Sequence, residues 1–239
     1  MAAPKTFVFV HGSWRGGWCW RRVADRLARN GHRVFAPTLT GLADRSHLLN
    51  ASITLDTHIA DIVNLLEWED LSDVVLCGHS YGGIIISGVA ERVPPGTIAS
   101  IVFLDAFMPD DGQSLEDLFG PVASNPMFKQ GLEASGGVSL PPIPAAAFGL
   151  NERDTAWVDA QCTPHPYRTA VDKIKLSGAR DRIGKKSFIR ATGREIPLHK
   201  ATFERLRGDP TWRLYEVACG HDVMLDEPAR LSEILEEVA

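Results

Sequence analysis

The sequence predicts an α/β fold: a mostly parallel sheet of about six strands, covered by helices on both faces. Apolar runs with strand character alternate along the chain with segments of helical period. These runs are continuously apolar, as in strands that are buried on both faces. The predicted strands are Thr6–Val10, His32–Ala36, Val74–Cys77, Ile98–Leu104, Ser187–Thr192 and Trp212–Ala218.

Helical signals lie between and after these runs. Apolar residues recur with a helical period in Thr54–Trp68, and Asn30–Gly31 ends the helix before it. At the C-terminus, Asp226 is an N-cap candidate, followed by an acidic residue and a proline at the first helical positions. The predicted helices are Arg21–Arg29, Thr54–Trp68, the turns after Ser80, His199–Arg207 and a C-terminal helix from Asp226.

The composition is that of one globular domain. The 239 residues suffice to bury a full core, and 44% apolar and 23% charged residues are ordinary globular values. A net charge of −5 argues against nucleic acid or an anionic membrane as the main partner. The apolar run before His11 is too short for a signal sequence, so we expect a cytoplasmic protein that acts on a small molecule. A homodimer is left open.

No motif predicts a metal or a cofactor. The cysteines are scattered, without C-x-x-C spacing or a Cys/His cluster, which favours reduced thiols over disulfides or a zinc site. The sequence has no phosphate loop, dinucleotide-binding fingerprint or metal-ligand spacing. The four cysteines are Cys19, Cys77, Cys162 and Cys219.

Ser80 is the predicted nucleophile. It is the centre of the G-x-S-x-G sequence at 78–82, which follows an apolar run and precedes a helical segment. A tight strand-to-helix turn brings backbone against backbone, where a Cβ would collide, so glycine is needed at Gly78 and Gly82. The helix N-terminus behind the serine offers free N–H groups to a developing anion.

His221 is the predicted base. A serine hydroxyl is a weak nucleophile until a base removes its proton, and histidine titrates near working pH. His221 comes just after the last strand, behind a glycine. His79 is expected to point away from Ser80, and His11 to pack or to shape the loop after the first strand. The order serine, acid, histidine fits this layout.

Two carboxylates are candidates for orienting this histidine. Asp105 ends the strand after the nucleophile helix, whereas Glu195 follows the Ser187–Thr192 strand. Because neighbouring strands lie about 4.8 Å apart, either carboxylate could reach the same imidazole. Strand-end position favours Asp105, with Glu195 as the alternative acid. Asp222, beside His221, is interpreted as a turn or cap residue.

An oxyanion hole needs two backbone donors. The Tyr81 N–H follows the nucleophile, and the loop after the first strand offers the Ser13 N–H. Trp14 could take the place of Ser13 or form a wall of the pocket.

Residues 107–175 differ from the rest of the chain. They contain eight of the fifteen prolines and show only short helical patches. We interpret residues 1–239 as a single domain with this segment inserted at the strand ends, as a cap or lid. Apolar side chains of the segment could line a pocket: Phe107, Met108, Phe119, Met127, Phe128, Phe148 and Trp157.

With these residues placed, the chain resembles an α/β-hydrolase over nearly all of its length. The stretches FVFVHGSWRGGWCW, VVLCGHSYGG and ACGHDVMLDEP are similar to plant methyl esterases and hydroxynitrile lyases, and more so to small bacterial esterases, including pyrethroid hydrolases. The resemblance implies a serine carboxylesterase that works through an acyl-enzyme.

The chain departs from that branch at two places. The plant members carry their acid in the loop after the next-to-last strand, which here reads Ala191–Glu195 and has no Asp. The lyases carry a threonine and a lysine where this chain has Gly12 and Asp222. The first difference favours Asp105, and the second argues against cyanohydrin cleavage.

The predicted function is hydrolysis of a small, apolar or aromatic ester by Ser80, His221 and Asp105. A lyase or a C–C bond-cleaving enzyme with the same triad is the first alternative, and product analysis distinguishes it. The second is a ligand receptor with negligible turnover, for which ligand-stabilised melting without turnover is the sign.

Overall fold

A six-stranded parallel sheet is the centre of the computed structural model, which describes residues 3–239. The strands of the chain are β1 (Thr6–Val10), β2 (Arg33–Phe35), β3 (Val74–His79), β4 (Ile98–Leu104), β5 (Ser139–Leu140), β6 (His165–Pro166), β7 (Lys185–Ala191) and β8 (Trp212–Val217). The sheet has the order β2-β1-β3-β4-β7-β8, whereas β5 and β6 pair as a separate antiparallel ribbon. The predicted fold class is confirmed.

Ten α-helices occur within the described residues. They are α1 (Arg21–Arg29), α2 (Leu55–Trp68), α3 (Gly82–Ala90), α4 (Leu115–Phe119), α5 (Pro126–Ala134), α6 (Glu152–Gln161), α7 (Arg168–Val171), α8 (Pro197–Leu206), α9 (Val223–Asp226) and α10 (Pro228–Val238). The N-cap predicted at Asp226 is wrong, because Asp226 ends α9 and its carboxylate instead accepts hydrogen bonds from Gly220 N and Asn151 Nδ2.

Both faces of the sheet are buried. In β1, Phe7 and Phe9 face the core formed with α1 and α10, whereas Val8 and Val10 face the core formed with α2 and α3. Trp20 stacks on Phe9 with ring centroids 4.5 Å apart. Successive side chains of a strand point to opposite faces, so two covered faces require apolar residues at every position.

The carboxyl ends of the strands meet at one rim of the sheet. His79 pairs with Leu104, and Ala191 pairs with Val217, so neighbouring strands end at matching heights. The loops after β1, β3, β4 and β8 therefore leave the sheet side by side. We call this edge the sheet rim.

Residues 107–175, here called the insertion segment, run from the end of β4 toward β7 and contain α4 to α7 and the β5–β6 ribbon. Helices α5 and α6, of nine and ten residues, are longer than the short patches expected from sequence. Among the described residues, no helix combines the length and apolarity needed to cross a bilayer.

Candidate active site

Ser80 lies at the sharp corner between β3 and α3. Its φ is +54°, a left-handed value that residues other than glycine rarely adopt. The Ser80 carbonyl accepts hydrogen bonds from Gly83 N (3.0 Å) and Phe107 N (3.1 Å), which hold the corner in place. Surrounding structure thus fixes a strained backbone, an arrangement that clusters at functional sites.

The glycines on either side of Ser80 are explained by backbone contact. A Cβ on Gly78 would lie 2.5 Å from the Gly82 carbonyl oxygen, and a Cβ on Gly82 would lie 2.5 Å from the Val10 carbonyl oxygen. Real Cβ atoms do not approach backbone oxygens so closely. The corner therefore requires glycine at both positions, as expected from the sequence.

Asp105 and His221 form a short, buried hydrogen bond. His221 Nδ1 lies 2.6 Å from Asp105 Oδ2, and both side chains are at most 5% exposed. Burial alone would raise the pKa of Asp105, but the contacts with His199 and His221 outweigh it and hold that pKa well below its ordinary value. Because the ionised carboxylate can only accept, His221 Nδ1–H donates and Nε2 carries the lone pair of a base.

Ser80 and His221 line the same cavity. Within residues 3–239, the Ser80 hydroxyl and the His221 ring are not hydrogen-bonded to each other. Such bonds are often long in free enzymes and tighten with substrate bound. The structure thus brings the predicted nucleophile, base and favoured acid to one rim.

The backbone of His221 is held by groups that sequence reasoning missed. His79 Nε2–H donates to the His221 carbonyl (3.0 Å), and His221 N donates to the Phe148 carbonyl (3.0 Å). Burial, followed by the neighbouring His221, lowers the pKa of His79 to about 3, so His79 is neutral. The Phe148 ring also stacks on the His221 ring at 5.4 Å.

Glu195, the alternative acid, does not contact His221. Its half-exposed carboxylate binds Lys200 Nζ at 2.7 Å and lies 3.6 Å from Arg190. The hydrogen bond from Lys200 lowers the pKa of Glu195. Glu195 is one of the residues that line the cavity, but its exposure is that of a solvated charge.

The loop after β1 brings backbone donors to the serine. Ser13 lines the cavity, and Tyr81 follows Ser80 at the corner. Within residues 3–239, neither the Ser13 N–H nor the Tyr81 N–H donates to a backbone or side-chain acceptor. Both groups are thus free to bind an anion. Trp14, with φ +63°, donates from Nε1 to the Leu140 carbonyl and forms part of the cavity wall.

His11 shapes this loop. Leu39 N donates to His11 Nε2 (3.0 Å), which leaves the proton on Nδ1 to donate to the Gly12 carbonyl (2.9 Å). Burial lowers the pKa of His11 to about 4, so the ring is neutral and both nitrogens are used. His11 therefore acts through loop geometry rather than as a base.

Asp222 occupies the N-cap position of α9, which agrees with the interpretation as a turn or cap residue, but its side chain makes no capping bond. Its fully buried carboxylate instead accepts two hydrogen bonds from Arg15, at 2.9 and 3.2 Å. Arg15 also donates to Cys162 Sγ at 2.7 Å. This buried pair joins the loop after β1 to the loop that carries His221.

The cavity above Ser80 has a volume of about 250 Å³. Its walls are mostly apolar and come largely from the insertion segment. The indole of Trp14 stacks on Phe128 with centroids 6.0 Å apart. The other aromatic wall residues include Phe107, Phe119 and Phe148, so a planar apolar group fits. Of the apolar residues expected here, Met108, Met127 and Trp157 do not line the cavity.

Among the residues that the structure describes, Asp105, His199 and His221 form the group whose donor atoms could ligate a metal, since these atoms lie within 4.8 Å of one another. Two ligands of one tetrahedral zinc ion stand roughly 3.3 Å apart, given bonds near 2.0 Å. The 2.6 Å between His221 Nδ1 and Asp105 Oδ2 is shorter and matches a charge-assisted hydrogen bond. The present geometry therefore does not fit an ion between these two atoms.

A serine on a strained strand-to-helix corner, with a histidine and a carboxylate at the ends of nearby parallel strands, defines the α/β-hydrolase class. The chain belongs to the alpha/beta hydrolase family, whose model matches residues 7–234. This confirms the family predicted from the sequence.

Relatives within the family are esterases. The chain is 40% identical to a carbendazim hydrolyzing esterase of Nocardioides sp. (strain SG-4G), covering 96% of this chain and 97% of the relative. It is 29% identical to methylesterase 10 of Arabidopsis thaliana, over 98% and 91% of the two chains. An extracellular alpha/beta-hydrolase from a Paenibacillus species superposes with a TM-score of 0.83 at 29% identity, over 99% of both chains. The chain is a carboxylic ester hydrolase, as predicted.

Proposed function

We propose that the chain is a serine carboxylesterase in which Ser80 is the nucleophile, His221 the base and Asp105 the orienting acid. The observation that carries the proposal is the 2.6 Å bond between His221 and Asp105 beside a strained serine in the same cavity. The free N–H groups of Ser13 and Tyr81 form the oxyanion hole. The insertion segment acts as the cap.

In the first half-reaction, Ser80 Oγ attacks the ester carbonyl carbon while His221 Nε2 takes the hydroxyl proton. The carbonyl oxygen becomes an oxyanion that the Ser13 and Tyr81 N–H groups stabilise. Asp105 stabilises the imidazolium that forms. The C–O bond to the alcohol then breaks, the alcohol leaves with the proton from His221 Nε2, and Ser80 carries the acyl group.

In the second half-reaction, water replaces the alcohol. His221 Nε2 removes a proton from the water as its oxygen attacks the acyl carbon, and the same oxyanion hole holds the second tetrahedral intermediate. The bond to Ser80 breaks, His221 returns the proton to Ser80 Oγ, and the carboxylic acid leaves. The balance is one ester and one water consumed, one acid and one alcohol formed.

The substrate we propose is a compact ester with a planar aromatic part and a small alcohol. The aromatic wall around Trp14, Phe128 and Phe148 suits a flat ring, and the volume of about 250 Å³ admits only a small molecule. This choice agrees with the similarity to the carbendazim hydrolyzing esterase, because carbendazim is a methyl carbamate on a planar heterocycle. Methyl esters and methyl carbamates of aromatic rings are therefore the substrates to test.

The test of the nucleophile is hydrolysis of p-nitrophenyl acetate and butyrate by the wild type and Ser80→Ala. We expect kcat to fall by about 10⁴-fold or more in Ser80→Ala, because the remaining groups cannot form the acyl-enzyme. An organophosphate label should attach to Ser80, detected by mass spectrometry of the peptide. The exposed Ser52→Ala is the control and should keep full activity. Activity that survives Ser80→Ala disproves the proposal.

The test of the substrate compares methyl benzoate, carbendazim and methyl hexanoate under the same conditions. We expect higher kcat/KM for the aromatic substrates, with methanol released from each. Faster turnover of the linear hexanoate would contradict the aromatic preference while leaving the serine mechanism intact. Ligand-stabilised melting without any product would instead support a receptor.

A further inference from the structure

His199 lies against the face of Asp105 that His221 does not use. It belongs to α8, is 1% exposed, and its Nδ1 lies 3.3 Å from Asp105 Oδ1. The ring packs edge-on against Phe107 at 5.0 Å and lies 5.8 Å from the ring of His221. A second imidazole thus faces the carboxylate that orients the predicted base.

The polar atoms of His199 lack other partners. Within residues 3–239, neither ring nitrogen makes a well-aligned hydrogen bond, although both are buried. A buried polar group without a partner is costly, so its presence here calls for an explanation. Burial lowers the pKa of His199 more than the Asp105 charge raises it, so the ring is neutral.

The carboxylate selects the tautomer of this neutral ring. A lone pair on Nδ1 would face the negative Oδ1 and repel it, whereas an Nδ1–H directs its positive end toward that oxygen. The N–H lies off the line of an ideal hydrogen bond, so the attraction is mainly electrostatic. Asp105 Oδ1 receives its aligned hydrogen bond from Ala191 N at 3.1 Å.

We propose that His199 is a positioning residue that keeps Asp105 ionised and turned toward His221. The inference rests on the proposed function of Asp105 as the orienting acid. Asp105 sits in a strained conformation (φ +40°) within an apolar interior, where burial favours the neutral acid. A third donor on the carboxylate opposes that protonation.

The other ionisable groups near Asp105 do not replace this role. His79 faces it from β3 but donates its proton to the His221 carbonyl. Cys219 faces it from the loop after β8, and burial raises the pKa of the Cys219 thiol to about 12. Asp222 is negative and is neutralised by Arg15. His199 and His221 are therefore the side chains that supply positive potential to Asp105.

Three substitutions of His199 distinguish the effect of its N–H donor from the effect of ring packing. His199→Asn keeps an N–H near the position of Nδ1, His199→Gln moves it to the position of Nε2, and His199→Phe keeps a ring but removes the donor. Thermal melting of each variant reports whether the fold is retained. The readouts are kcat and KM for p-nitrophenyl acetate across pH, and the low-field ¹H NMR signal of the His221–Asp105 bond.

We expect His199→Phe to lower kcat by about 10- to 100-fold with little change in KM, the size of a lost hydrogen bond to a charged group. The loss should grow as the pH is lowered, because a carboxyl with fewer donors takes up a proton at higher pH. The low-field signal should shift in His199→Phe. In kcat, pH dependence and this signal, His199→Gln should behave like His199→Phe, whereas His199→Asn should remain close to the wild type.

Two results would overturn the proposal. One is a folded His199→Phe with wild-type kcat, pH profile and low-field signal. The other is His199→Asn as impaired as His199→Phe, which would show that only ring packing matters. Failure of the proposed function appears separately, as hydrolysis that survives Ser80→Ala. In that case the NMR signal still reports whether His199 positions Asp105.

Discussion

The sheet rim and the insertion segment differ in backbone conformation and in the exposure of their side chains. At the rim, Trp14, Ser80 and Asp105 all adopt positive φ, and hydrogen bonds from several elements hold them there. The insertion segment instead presents aromatic side chains, among them Phe119, which is 52% exposed. The rim thus combines backbone strain with polar pairing, whereas the insertion segment adds a partly exposed apolar surface to the cavity.

The largest expected effect concerns the two carboxylates. We expect Asp105→Asn to lower kcat by about 10³- to 10⁴-fold, because an amide no longer stabilises the imidazolium or selects its tautomer. The exposed Glu195 contacts Lys200 and not His221, so Glu195→Gln should change kcat less than about threefold. Steady-state kinetics on p-nitrophenyl acetate measures both. An equal loss of kcat in the two variants would contradict the assignment of the orienting acid to Asp105.

The second prediction uses the histidines buried at or beside the rim. Burial, as the main cause, lowers the pKa of His11 and His58 to about 4 and that of His79 to about 3. The unfolded chain then binds more protons below its histidine pKa near 6.5, so stability is complete above that pH and falls as the pH decreases. At pH 5.5 the three groups together should cost on the order of 4 kcal/mol of unfolding free energy.

Denaturant titrations at pH 7.5, 6.5 and 5.5 measure this loss. Stability should fall by about 1 kcal/mol from pH 7.5 to 6.5 and by about 3 kcal/mol more from pH 6.5 to 5.5. A transition midpoint that does not change down to pH 5.5 would show that these rings accept protons in the folded state. The insertion segment contributes a buried histidine of its own, His165, whose pKa burial also holds well below its ordinary value.

The third prediction concerns an ion pair between α1 and the insertion segment. Arg22 of α1 binds Asp154 of α6 through both carboxylate oxygens, at 2.6 and 2.7 Å, and also donates to the Leu225 carbonyl. Arg22→Met should lower the free energy of unfolding by about 1.5–3 kcal/mol, because the nearly buried Asp154 loses both of its hydrogen bonds from Arg22. Chemical denaturation monitored by tryptophan fluorescence is the measurement.

The matched control is an exposed ion pair between β2 and the C-terminal end of α2. Arg33 and Glu69 pair at 2.8 Å, but both side chains are about half exposed. Arg33→Met should therefore cost less than about 1 kcal/mol. Equal losses in the two variants would indicate that the contact between α1 and α6 contributes no more than a surface pair.

The rim could be predicted from sequence because its signals are local. The glycines around Ser80 follow from crowding within one turn, and Asp105 and His221 follow directly from the ends of apolar strands. The preference for Asp105 over Glu195 used its position at a strand end and the resemblance to the plant branch, whose acid-bearing loop corresponds here to Ala191–Glu195 and has no Asp. Each of these signals is read from a few neighbouring residues.

The remaining features of the site and the fold could not be predicted from the sequence, because they depend on contacts between residues that are far apart along the chain. Arg15 and Asp222 are 207 positions apart, and neither position carries a local sign of a buried pair. The β5–β6 ribbon has two residues per strand, one of them Pro166, so it shows no period. His199 had one usable signal: it follows the Ala191–Glu195 loop, where the resemblance to the plant branch leads one to expect the acid.

The smallest expected effect sharpens the role assigned to the insertion segment. Phe119 lines the cavity and contacts Phe107 and Phe128 through its ring, at 6.3 Å each, yet half of it is exposed. Phe119→Ala should raise KM for methyl benzoate by about 5- to 10-fold, the loss of roughly 1 kcal/mol of apolar contact. The kcat for methyl benzoate and for p-nitrophenyl acetate should change little, because the rim is untouched. A fall in kcat for both substrates would instead show that the insertion segment positions the reacting groups, which would erase the division between the two regions.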